Sequence, residues 1–164
     1  MLLSPGLRAI PRYLKPHIWM SHPETSDYNA RAGYNFEKFT PDGFDNLVKR
    51  GYAVYRDDRA RYDQALIDEI DNVAAWSRAS RRALMTTECW SLIDYKDWPL
   101  LDWGWLMDLC AMGVERAAAS GRWVAMATSN FCGPQFVGMW RDIDWHRRLT
   151  ERIKSAPIDA DLRA

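Results

Sequence analysis

The sequence predicts an α+β fold in which helices dominate: about four helices and a small sheet of short strands in one compact domain, residues 1–164. Three observations lead there. A chain of 164 residues, 48% hydrophobic and 27% charged, has an ordinary globular composition and can bury roughly two thirds of its unfolded surface. Between Asp58 and Met85, Tyr62, Leu66, Ile70, Val73, Trp76 and Leu84 recur at helical spacing, while Asp63, Asp68, Asp71, Arg78 and Arg82 lie largely off that stripe. Two helix-glycine-strand steps, Arg50-Gly51-Tyr52-Ala53-Val54 and Ser120-Gly121-Arg122-Trp123-Val124, suggest two short strands that can pair.

Residues 1–35 hold four prolines and the turn-rich run SHPETSDYNARAGYN, which suits an irregular arm anchored by Ile18, Trp19 and Met20. Thr40 followed by Pro41 is a helix start, Phe44, Leu47 and Val48 form an apolar face, and Gly51 stands where a left-handed C-cap belongs. A helix over 41–50 and a strand over 52–55 follow from this. The long helix over 58–85 carries acids in its first half and Arg78, Arg81 and Arg82 near its end, as the helix dipole favours. TECWSLIDYK, residues 87–96, reads as a strand. Pro99 opens a segment apolar almost all round its helical wheel, broken by Asp102 and Asp108, whose carboxylates would need partners such as an arginine or the indoles of Trp103 and Trp105. RWVAMAT, residues 122–128, reads as a buried strand. A last helix after Pro134 carries Phe136, Met139, Trp140 and Ile143 on one side and Trp145, Leu149 and Ile153 on another, and the tail over 157–164 is expected to fray.

Composition narrows function by exclusion. With 22 basic and 22 acidic residues, the chain lacks the net positive field that steers proteins onto nucleic acid. Three cysteines at irregular spacing fit reduced thiols in a cytoplasmic protein, and prolines interrupt the apolar runs at the start, so neither signal peptide nor membrane span is expected. Arginine outnumbers lysine 17 to five, which suggests a GC-rich bacterial or phage genome.

Cys132 lies in TSNFCGPQF, between a predicted strand and a predicted helix, where unpaired N–H groups favour thiolate. It is the alternative catalytic nucleophile. Its base is not evident, because His146 is 14 residues away, about 21 Å along a continuous helix, and His17 or His22 would have to reach in from the arm. Zinc sites show short paired spacings such as CxxC or HExxH, and the sequence has none, so no metal is expected; no phosphate-binding glycine loop occurs, so no cofactor is expected.

Nine tryptophans are the most informative feature, four of them between Trp90 and Trp105. Tryptophan, tyrosine, methionine and arginine are enriched at interface cores. Trp76, Trp103, Trp105 and Trp123 are assigned to the core, which leaves Trp19, Trp90, Trp98, Trp140 and Trp145, with Arg141 and Arg148, as the candidate recognition surface. The first reading is therefore a non-catalytic cytoplasmic protein-binding module: an inhibitor, an immunity- or antitoxin-like protein, or a phage or plasmid accessory protein of a mobile element, with another protein as partner. The alternatives are a small cysteine-dependent hydrolase or transferase using Cys132 and, ranked lower, a nucleic-acid-binding regulator using the arginines of the last helix.

Overall fold

The computed structural model describes residues 11–22, 24–35, 38, 40–92, 101–129 and 141–163. Strand β1 (Tyr13–Leu14) pairs in parallel with β3 (Ala83–Thr86), and β3 pairs in parallel with β5 (Trp123–Met126). Strand β2 (Ile18–Trp19) pairs in parallel with β4 (Cys89–Trp90). Tyr13 stands opposite Ala83, whereas Ile18 stands opposite Cys89, so the second chain run gains one residue on the first between Thr86 and Cys89. The Thr86 hydroxyl bridges this slip by donating to the Pro16 carbonyl at 3.1 Å.

Parallel pairing obliges the chain to return between strands, and helices do this. Between β2 and β3 lie α1 (Tyr28–Ala32), α2 (Pro41–Asp57) and α3 (Arg59–Ser80); between β4 and β5 lies α4 (Gly104–Ala119). Helix α5 (Ile143–Lys154) follows β5 and packs on α4, and a 3-10 turn spans Ala160–Leu162. The helix-dominated class with small sheets of short strands is as expected. The return of the chain through helices between parallel strands is the added feature.

The core forms where α3 and α4 cover the sheet. Leu66, Ile70, Leu84, Cys89, Trp90, Leu106, Cys110 and Val114 are all essentially inaccessible. Trp90 lies against Gly113 of α4, where even a methyl group would meet its indole. Its Nε1 donates to the Ala127 carbonyl at 3.3 Å, and Trp123 Nε1 donates to Thr86 Oγ1 at 3.0 Å. These two buried indoles thus find the partners their polar edge requires.

Several local expectations are corrected. Helix α2 does not stop at Gly51 but runs to Asp57, so residues 52–55 are helical. Gly51 serves close packing: a Cβ there would stand 2.8 Å from the Tyr28 hydroxyl oxygen. The start is as read, with Thr40 Oγ1 accepting from Gly43 N–H at 3.2 Å. Helix α3 ends at Ser80, with Arg81 in the left-handed region at φ 53°, and Leu84 passes from the predicted helix stripe into β3. Residues 13–14 and 18–19, within the stretch read as an irregular arm, are strands. Asp159 and Asp161, in the stretch read as a fraying tail, hold Arg122.

Candidate active-site face

Leu14, Lys15, Pro16 and Leu84 line a cavity together with Glu69, Val73 and Trp76 of α3. Tyr13, Lys15 and His17 are exposed. Glu88 joins them because the one-residue slip before Cys89 brings it beside His17. Its two carboxylate oxygens take one base each: Lys15 Nζ lies 4.0 Å from Oε1 and His17 Nδ1 3.5 Å from Oε2. Successive residues of these strands are buried on both sides, Ile18 and Trp19 in β2 and Cys89 and Trp90 in β4, and the surface that solvent reaches here is the group of Tyr13, Lys15, His17 and Glu88.

Glu88 stands past the C-terminal end of β3, the central strand. Parallel β/α sheets bind ligands at that end because the connecting loops are free to vary there while the strands hold them rigidly. Beyond it the backbone ladder continues, with Met20 N–H donating to the Trp90 carbonyl at 3.0 Å. The structure therefore presents one carboxylate, flanked by an ammonium and an imidazole, in the bend between β3 and β4 where solvent can reach it.

The residues singled out from sequence fall elsewhere. Trp19, Trp90 and Trp145 are 3%, 0% and 4% exposed, so they cannot form a recognition surface. Arg141 and Arg148 are exposed. Trp98, Trp140 and Cys132 lie outside the described residues. His146 is buried, with Nδ1 3.1 Å from Thr128 Oγ1 and its ring edge-on to Trp145. Asp102 and Asp108 are exposed and need no buried partner; Asp102 accepts from Gly104 N–H at 3.0 Å. Among the described residues, no three His, Cys, Asp or Glu side chains gather as a metal site would require.

Glu88 was not among the candidates. Its signal is an acid inside TTECW, where an apolar strand should carry none, and the reading of 87–96 as one strand hid it. Pairing it with His17, 71 positions earlier, required knowing the parallel register.

Residues 11–154 match the model of the cellulase-like family, described as sugar-binding cellulase-like. The match spans most of the chain, and the chain belongs to that family. It is also similar to a solved structure from Parabacteroides distasonis ATCC 8503, named a candidate glycoside hydrolase, with 50% sequence identity and a TM-score of 0.85. The similarity covers 90% of this chain and 39% of that one, so the chain spans about two fifths of that neighbour's length. No curated protein matches the chain.

Family membership corrects the functional expectation. The match to a family described as sugar-binding and cellulase-like overturns the reading as a protein-binding inhibitor, an immunity- or antitoxin-like protein or a mobile-element accessory protein with a protein partner, and points to a carbohydrate-related function. The cysteine-dependent hydrolase centred on Cys132 and the nucleic-acid regulator are set aside with it. For Trp19, Trp90 and Trp145 the physical reason is burial.

Proposed function

We propose that this chain supplies part of a carbohydrate-binding and glycoside-hydrolysing site, with Glu88 as its reacting carboxylate. The observation that carries the proposal is Glu88, accessible to solvent past the C-terminal end of the central parallel strand, with Lys15 and His17 near its two oxygens. Family membership and the named activity of the Parabacteroides neighbour support it. Parallel strands joined through helices are the repeating unit of a β/α barrel, whose reacting groups stand at the C-terminal ends of the strands, where Glu88 stands.

Glycoside hydrolysis passes through an oxocarbenium-like state in which positive charge builds on the anomeric carbon, and it uses two carboxyl groups, one protonating the leaving oxygen. Glu88 fits the other role. Lys15 and His17 lie within ion-pair distance of its two oxygens, and the part-exposed carboxylate leaves room for a sugar ring to approach. Replacing Glu88 with glutamine in the intact protein should lower hydrolysis of cellotetraose by about 10²- to 10⁴-fold while leaving the near-UV circular dichroism unchanged. A Glu88→Gln variant with the parent rate would refute the assignment.

A further inference from the structure

We propose that a cleft between α2, α3 and α4, separate from the Glu88 face, is a second carbohydrate subsite that takes one neutral sugar ring, with Tyr52 as its platform. The choice of a sugar rests on the carbohydrate reading above. The cleft has a volume of about 140 Å³. Its floor is Tyr55 and Trp105, buried rings stacked at 4.9 Å and 25°. Its wall is Tyr52, whose ring lies 6.3 Å from Trp105 and is 45% exposed, unusual for a large side chain.

Charge selects the ligand. Arg56 and Arg59 line the cleft from α2 and α3, and Asp102 and Asp108 face them from the start of α4. Two carboxylates repel a phosphate, two guanidinium groups repel a cation, and four charged groups disfavour a purely apolar guest. A neutral ring with one apolar face and several hydroxyls suits all of them: its C–H face covers an aromatic ring while paired hydroxyls bond to carboxylate and guanidinium. The groups retain bonding capacity. Asp102 uses one oxygen to accept from Gly104 N–H, and Asp108 has no hydrogen bond or ion pair among the described residues. Arg56 and Arg59 are held by Asp57 at 2.9 Å and Asp63 at 3.3 Å, contacts that steady them at the rim.

Topology places the cleft where a long glycan could use it. Since β3 and β5 are parallel, the intervening α4 runs against them, and its first turn lies at the end where Glu88 stands. A chain leaving Glu88 would pass over that end of the molecule.

The test is a backbone amide NMR titration of the full chain with cellotetraose and, separately, xylotetraose. Saturable shifts are expected at Tyr52, Gly104, Trp105 and Asp108 with at least one of the two. They should be retained in Tyr52→Phe and in Glu88→Gln, and weakened about tenfold or more in Tyr52→Ala. The proposal is overturned by no shift at those amides up to ~10 mM sugar, by shifts that Tyr52→Ala leaves intact, or by shifts confined to Lys15, His17 and Glu88. The last result would keep the Glu88 reading and remove only the cleft, whereas a fully active Glu88→Gln variant with an occupied cleft would do the reverse.

Discussion

His17 Nδ1 lies 3.5 Å from Glu88 Oε2 across two parallel strands, although 70 residues of helix and turn separate them in the chain. The contact reaches the oxygen that Lys15 does not approach, and both side chains are partly exposed, so its value is orientation more than stability. Replacing His17 with alanine should lower kcat for oligosaccharide hydrolysis by about 10- to 100-fold with little change in KM, and His17→Gln should recover part of the loss, since a misplaced reacting group costs rate more than binding. Steady-state kinetics on the three proteins decides this. Equal kcat values would show that His17 does not position Glu88.

Gly113→Ala tests the packing that holds β4 in place. Alanine normally gains about 1 kcal/mol over glycine inside a helix. Here the new Cβ would stand 2.6 Å from Trp90 Cγ and 2.7 Å from its Cδ2, and Trp90 is fully buried with its Nε1 committed to Ala127. The overpacking exceeds the helical gain, and a net loss of about 2 kcal/mol is expected as a lower urea midpoint at unchanged slope. An unchanged or higher midpoint would mean that the Trp90 indole can yield.

These residues also show where sequence reasoning reaches its limit. The helix start at Thr40, the strand at Trp123 and the stripe of Tyr62, Leu66 and Ile70 were legible because capping and periodicity are local. Gly51 misled because a glycine can end a helix or admit a neighbour, and only Tyr28, packed against it from another helix, distinguishes the two. The tryptophans misled for the same reason: an indole is equally suited to a core and to an interface, and the Gly113 notch that buries Trp90 is tertiary. Glu88 was invisible as a site because its partners come from a strand 71 positions earlier, and its face is set by a one-residue slip.

Acid should release the C-terminal turn. Arg122 is 1% exposed and donates through Nε to Ser77 Oγ at 2.9 Å and through Nη1 to Asp161 Oδ1 at 2.6 Å. The hydrogen bond from Arg122 holds the Asp161 carboxyl below the usual aspartate range. A carboxyl lowered on folding stabilises above its unfolded value of about 3.9, and that stability is lost as pH falls through the folded value. Asp161→Asn should therefore flatten the fall in urea midpoint below about pH 4 relative to the parent. Arg122→Met, which leaves the Ser77 hydroxyl and carbonyl short of a buried donor, should cost about 2–3 kcal/mol at neutral pH. Parallel acid profiles for Asp161→Asn and the parent would exclude the linkage.

Glu69 predicts the opposite slope at higher pH. It lines a cavity of about 260 Å³ with Leu14, Pro16, Val73, Trp76 and Leu84, and its buried Oε2 has no hydrogen-bond partner among the described residues. Lys15 lines the same cavity, but its ammonium lies 4.0 Å from Glu88. Burial therefore pushes the Glu69 carboxyl up to about 7 from an ordinary 4.5. With the folded value raised, the native state binds the extra proton, so its contribution is complete below the unfolded value and disappears as pH rises through about 7. The parent should lose stability across that window, by about 1–2 kcal/mol once the cavity's access to solvent is allowed for. Glu69→Gln keeps the size and removes the charge, so it should show no such slope and should exceed the parent in urea midpoint at pH 8. A Glu69→Gln variant that tracks the parent from pH 5 to pH 8 would show that the carboxyl is already ionised and solvated in the fold.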